Sequence, residues 1–273
     1  MPISLGMEME MKEIKPYLDA VDAFKKKGAL RGTVKLAVRR NGVWFTDTSG
    51  KEIIINAPPP SKYNVAALMH YLAHIMILQE GWPRFSMRRK LAKETKSWKA
   101  MDAGRREALL FSWTNRAGDS FFDFYVFKWL NMKFGTKYLR EFTSFARNAD
   151  PESLLGLFKR TKKATGFGYD AYAFCLDYFA MFYELCLLFD RQRAKELDCF
   201  YSKLKKMKGF KEAVLPDVEK RVIMARKFYA KMAKKYPSYK DVASKPGARK
   251  EFVKFYKEVW RGTGLSVDFW EDA

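Results

Sequence analysis

The run AYAFCLDYFAMFYELCLLF, residues 171–189, limits the fold more than any other stretch. A helix built from it is apolar on every side and needs cover all round. It is long enough to span a bilayer. However, Asp177 and Glu184 sit inside it, and each charge is expensive at membrane depth. The reading is a buried core helix and no membrane span. The chain has 273 residues, 48% hydrophobic and 16% aromatic, which is ample for a large core around such a helix.

Most of the remaining sequence also reads as helix. Residues 8–27 form a charged amphipathic pattern with Ile14, Leu18, Val21 and Phe24 on one side. The period then changes. GTVKLAVRR, VWFTDT and KEIIIN read as three short strands, joined by turns at Asn41-Gly42 and Ser49-Gly50. Asn-Gly tolerates positive φ at both turn positions and marks a hairpin. After APPPSK, Ser61 or Asn64 can cap a helix that ends near Gly81 and Pro83. MRRKLAKETKSW reads as a basic helical stretch, followed by a long apolar helix from about 104 to 134, stopped by Gly135. Shorter helices are expected over 136–147 and 151–162, with Pro151 at a helix start. The aromatic helix from Tyr169 runs with a break to about 206, and further helices cover 215–235 and 246–260.

The expected fold is therefore α+β and mostly α-helical. It has a small three-stranded antiparallel meander near the N-terminus, then a multi-helix core, then C-terminal helices. The domain expectation is an α+β core over 1–165 and a helical subdomain over 166–273.

The net charge is +21 and the sequence pI about 9.8. Such an excess favours polyanionic partners, nucleic acid first. Cys175, Cys186 and Cys199 are odd in number and widely spaced, with no CxxC pair, so neither a disulfide framework nor a zinc ribbon is indicated. Reduced cysteines suit a cytoplasmic protein. The N-terminal MPISLGMEMEMKEIK has no apolar core of a signal peptide. Gln is scarce and Lys abundant, a thermophile's bias, although 13 Met weigh against it.

The helix AALMHYLAHIMIL, residues 66–78, holds both histidines of the chain, His70 and His74. Residues four apart project from the same helix face, so two imidazoles so placed can share one metal ion, zinc being the usual case. The alternative is two packed histidines with satisfied nitrogens. A metal site needs further ligands. In NRAGDSFFDFYVFKWL, the residues Asn115, Asp119 and Asp123 recur every four positions and make a polar stripe within an aromatic helix. Asp119 is the favoured third ligand and Asp123 the next. Asp170, Asp177 and Glu184 repeat every seven and read as internal ion pairs with Lys or Arg.

HYLAH resembles the His-Glu-x-x-His helix of zincin-type metallopeptidases, and TNRAGDSFFD is similar to a later acid-bearing helix of some zincin-like proteins. The resemblance spans residues 32–130. It implies that His70 and His74 are zinc ligands, with Asp119 or Asp123 the third. This sequence departs from the motif at Tyr71, where the family has its general-base glutamate. Tyrosine titrates near 10 and is a poor base at neutral pH. The implied protein is a degenerate zincin, a pseudoenzyme that keeps the metal and lacks peptidase activity.

The alternative function is sequence-tolerant nucleic-acid binding, as by a protein of a mobile genetic element, with no metal site. Basic residues interleave with aromatics in the last third. Lys205, Lys206, Arg226, Lys227, Lys234 and Lys235 are the candidate phosphate contacts, and Phe228, Tyr229, Tyr236, Tyr239, Phe255 and Tyr256 the candidate stacking rings. The same pattern also describes amphipathic helices with a solvated Lys face and an aromatic core face.

Overall fold

The computed structural model describes residues 11–27, 30–38, 45–47 and 52–271. The two turns at Asn41-Gly42 and Ser49-Gly50, the side chain of Asn115, and residues 1–10 lie outside the described residues. The chain order begins α1 (Met11–Lys27), β1 (Thr33–Val38), β2 (Phe45–Asp47), β3 (Glu52–Ala57), α2 (Lys62–Gln79), β4 (Phe85–Leu91), α3 (Lys96–Lys99), α4 (Ala103–Phe134) and α5 (Lys137–Phe142). It continues with α6 (Phe145–Asn148), α7 (Pro151–Thr165) and α8 (Tyr169–Leu176). A π-helical turn (Asp177–Met181) leads into α9 (Phe182–Phe189). The remainder is α10 (Arg191–Lys206), α11 (Phe210–Ala213), α12 (Val218–Lys235), α13 (Tyr239–Ser244), α14 (Pro246–Trp260) and β5 (Leu265–Glu271).

Two compact units result. One is Met1–Trp82 with Val126–Phe142; the other is Pro83–Tyr125 with Thr143–Ala273. In the first unit α2 is the central helix. Ala66, Ala67, Leu68, Met69, Leu72, Ala73, Ile75, Met76 and Ile77 are all buried, so its apolar residues leave almost no solvent face. Ser61 starts it, accepting a hydrogen bond from the Asn64 amide at 3.0 Å. The buried side of α1 carries Ile14, Tyr17, Val21 and Phe24, and Tyr17 donates from its hydroxyl to the Pro58 carbonyl at 2.8 Å.

The three expected strands exist, but they do not form a meander. The order is β1-β3-β2, with β1 parallel and β2 antiparallel to β3. Only the β2–β3 half of the expected arrangement is antiparallel. The reason is hydrophobic. β3, with Ile53, Ile55 and Ala57 buried, takes the central place where both edges are paired, and β1 beside it buries Val34, Leu36 and Val38 in the same alternation. A second correction concerns MRRKLAKETKSW. Its first five residues belong to β4, which pairs antiparallel with β5 from Phe85↔Glu271 to Leu91↔Leu265, and only its last three are helical, in α3. Local periodicity carries little trace of a strand whose partner lies at the far end of the chain.

The second unit is packed with rings. Trp113 lies 5.5 Å from Trp98 and 4.8 Å from Tyr169, and Phe121 stacks on Phe252 at 4.0 Å. Helix ends follow local chemistry. α4 stops at Gly135, and α7 starts at Pro151 and ends at Gly166 with φ +83. A side chain at Gly166 would also run into Thr95, which caps α3 and donates to the Thr165 carbonyl.

The apolar run Tyr169–Phe189 is the one helix among the described residues long and apolar enough to cross a membrane, and 61% of it is buried. Cys175 and Cys186 lie buried in it, while Cys199 is exposed; all three are free. Its two carboxylates are handled differently. Asp177 opens the π-helical turn and accepts from Ser120 Oγ on α4. The widened turn leaves the Phe179 carbonyl available, and Arg226 Nε of α12 donates to it at 2.7 Å. Arg226 also pairs with Asp198 at 3.0 Å and covers the Tyr183 ring at 3.6 Å. Burial pushes Glu184 up to about 7, with Arg226 pulling the other way.

Because its folded-state pKa is raised, Glu184 contributes stability that is complete below its ordinary 4.5 and lost as pH rises through about 7. Glu184→Gln should therefore raise the unfolding free energy by about 1–3 kcal/mol at pH 8 and change it little at pH 4.5. Urea melts of both proteins at the two pH values check this, and a variant less stable than wild type at pH 8 would contradict it. Ser120→Ala removes a donor to a buried carboxylate and should cost about 1–3 kcal/mol in the same melts.

Candidate metal centre

The centre is built by α2 and α4. Because α2 is helical without a break, His70 and His74 fall on one face, and their Nε2 atoms are 2.9 Å apart. The two rings stand nearly edge to face at 75°, with centroids 4.4 Å apart. His70 is held by aromatic walls. Phe127 of α4 stacks on it at 4.7 Å, and Phe142 of α5 lies tilted at 5.5 Å. Phe127 and Phe142 themselves meet edge to face at 4.7 Å. These contacts fix the ring plane of His70, which a ligand needs if its nitrogen is to be aimed.

Asp123 lies one helical turn before Phe127, so the helix that stacks a ring on His70 also projects Asp123 from the same face. His70 and His74 each offer a nitrogen, and Asp123 a carboxylate oxygen, with all three atoms within 4.8 Å of one another. All three residues are partly buried. This group can hold a metal ion. The favoured third ligand of the sequence reading, Asp119, is outside it: its side chain is exposed, and its charge acts on Tyr256. One helical turn separates the two acids, and only the position of His70 against Phe127 distinguishes them.

The geometry also permits a metal-free state. At 2.9 Å one imidazole Nε2–H can donate to the other ring's bare Nε2. A tetrahedral zinc ion with bonds near 2.0–2.1 Å sets two nitrogens about 3.3 Å apart, so binding requires the rings to spread by only a few tenths of an ångström.

Next to Asp123, the second unit holds a buried polar cluster absent from the sequence reading. Ser120, three residues before Asp123 on α4, bonds Asp177 and also the Tyr229 hydroxyl. Burial first, then the carboxylates of Asp177 and Asp123, drive that hydroxyl well above its ordinary 10, so it remains protonated. Its sequence signals were Asp177, read there as half of an internal ion pair, and a serine directly after Asp119 in a helix otherwise rich in rings.

The candidate nucleic-acid residues differ in their partners and exposure. Lys205 pairs with Glu219 at 3.0 Å and Lys235 with Glu251 at 2.6 Å, while Arg226 is spent on the interior partners described above. Lys206, Lys227 and Lys234 are exposed. The rings expected to stack bases are packed inside. Tyr229, Tyr236, Tyr239 and Tyr256 are buried, and Phe228 and Phe255 stack on each other at 3.9 Å. No protein-family model, curated protein sequence or solved structure matches this chain.

Proposed function

We propose that this protein binds a divalent transition metal through His70, His74 and Asp123, with zinc the ion best suited to the donors. The observation that carries the reading is the convergence of two imidazole nitrogens and one carboxylate oxygen within 4.8 Å. Two neutral imidazoles and one carboxylate are a common zinc donor set, and three protein ligands leave one position open. An ion held this way supplies Lewis-acid polarisation to whatever occupies that position.

The position after His70 is Tyr71, whose phenol is a poor base at neutral pH. A degenerate zincin is the family reading that accommodates both the retained ligands and the lost glutamate. On that reading the protein keeps a metal centre without peptidase activity.

The measurement is elemental analysis after zinc loading and removal of free ion. Wild type should retain about one zinc per chain, and the His70→Ala/His74→Ala double variant none. Asp123→Asn should weaken zinc binding at least tenfold in a competition titration, while Asp119→Asn leaves it unchanged. Saturating zinc should also raise the melting temperature of wild type by several degrees. Wild type that retains no zinc would leave a hydrogen-bonded histidine pair as the correct description. Cleavage of unfolded casein by the zinc-loaded protein would remove the pseudoenzyme part alone.

A further inference from the structure

The surface formed by α14 and β5 has a composition that neither the metal centre nor the core explains. Inside, Phe252 and Tyr256 of α14 pack against Phe269 of β5 at 5.3 and 4.2 Å. Along the flank of α14, Lys250, Lys254, Lys257 and Arg261 follow at steps of four, three and four residues. With 3.6 residues per turn this places them in one row, and all four are exposed. The row is one wall of a groove of about 470 Å³, whose opposite wall is Phe269, Trp270 and Glu271. Lys257 and Arg261 also line an adjoining hollow of about 440 Å³ that runs past Gly262 and Gly264. The two hollows share Lys257 and Arg261 and together are lined by α14 from Lys250 to Trp260.

Its acids are already engaged. Glu271 is paired with Arg249, Glu258 with Arg221 and Arg261, and the exposed Asp268 lies 3.6 Å from Lys257. Lys250 and Lys254 have no acidic partner among the described residues. The row thus holds two cations without an acidic partner, Lys250 and Lys254, and two that share exposed or half-exposed acids, Lys257 and Arg261. Beside the row stands a partly exposed indole, Trp270, with the Arg88 guanidinium of β4 over its ring at 5.7 Å.

We propose that this groove binds single-stranded nucleic acid, the cation row pairing with successive phosphates and Trp270 stacking on a base. Cations three or four residues apart on a helix stand about 5–6 Å from one another, a step comparable with neighbouring phosphates along an extended strand. A tracking row of cations beside an aromatic platform is what sequence-tolerant single-strand binding requires. An acidic peptide would use the same lysines but has no need of the indole. A duplex keeps its bases stacked away from Trp270.

The test is fluorescence anisotropy of a labelled oligothymidylate with the full-length protein, titrated over a range of salt. Binding should be salt-sensitive. Lys250→Glu/Lys254→Glu should weaken it at least tenfold and reduce the slope of log K against log salt by about 1.4, from roughly 0.7 per lost phosphate contact. Trp270→Ala should weaken binding by roughly fivefold or more with the slope unchanged, a split expected of stacking and not of charge. Lys195→Glu/Lys220→Glu makes the same charge change at two exposed sites elsewhere and should cost less than threefold. The proposal is overturned if wild type fails to bind in about 50 mM salt, or if the control pair costs as much as the groove pair. It is equally overturned if polyglutamate binds as tightly, or if phosphatidylserine vesicles bind while the oligonucleotide does not. The lysine variants change exposed side chains and test the groove even if Trp270→Ala fails to fold.

Discussion

Burying the apolar rod of residues 169–189 together with two carboxylates is the constraint on which the second unit is built. Apolar burial of this extent drives the surrounding helices onto the rod, but each ionised group taken inside must recover what it loses in hydration. The protein answers at three points. Ser120 reaches Asp177 from α4, Arg226 reaches the π-helical carbonyl of Phe179 from α12, and Glu184 is displaced towards its neutral form. The widened turn sits between the two acids, where the extra backbone carbonyl gives Arg226 a fixed partner. Arg226 is in consequence a structural cation.

The same logic runs through the candidate metal centre at smaller scale. α2 is covered by apolar neighbours on nearly all sides, and its two histidines lie on a stripe that meets Phe127 and Phe142. Stacking orients the ring and helical spacing brings the second nitrogen to it. A carboxylate one turn along α4 completes a set of three. None of these features demands a catalytic base, and Tyr71 provides a poor one. A centre of this kind is consistent with binding outlasting chemistry, which is the substance of the degenerate-zincin proposal.

Charge on this protein is abundant, but its arrangement differs from place to place. Many cations are consumed by neighbouring acids, as at Lys205, Arg226 and Lys235. Along α14 the balance is different, because the acids on that side already have partners while Lys250 and Lys254 do not. A net charge of +21 therefore says little until the ion pairs are subtracted. The proposed groove is what remains on one helix face after that subtraction.

The sequence by itself determined the long helices and several of their ends. Ser61, Pro151, Gly135 and Gly166 act through local backbone chemistry, and the periods of α1, α2, α4 and α12 are local too. It also determined that His70 and His74 share a face, since helical geometry alone requires it. Tertiary structure decided everything that depends on a distant partner. β4 became a strand because β5 pairs with it, and β3 became the central strand because β1 and β2 pair with its two edges. Asp123, one turn before the Phe127 that stacks on His70, is the acid grouped with the two histidines. The aromatic rings of the last third went inward, where apolar burial outweighs any use on the surface. Two acids one turn apart are nearly equivalent in a sequence; only the packing of one helix on another separates them.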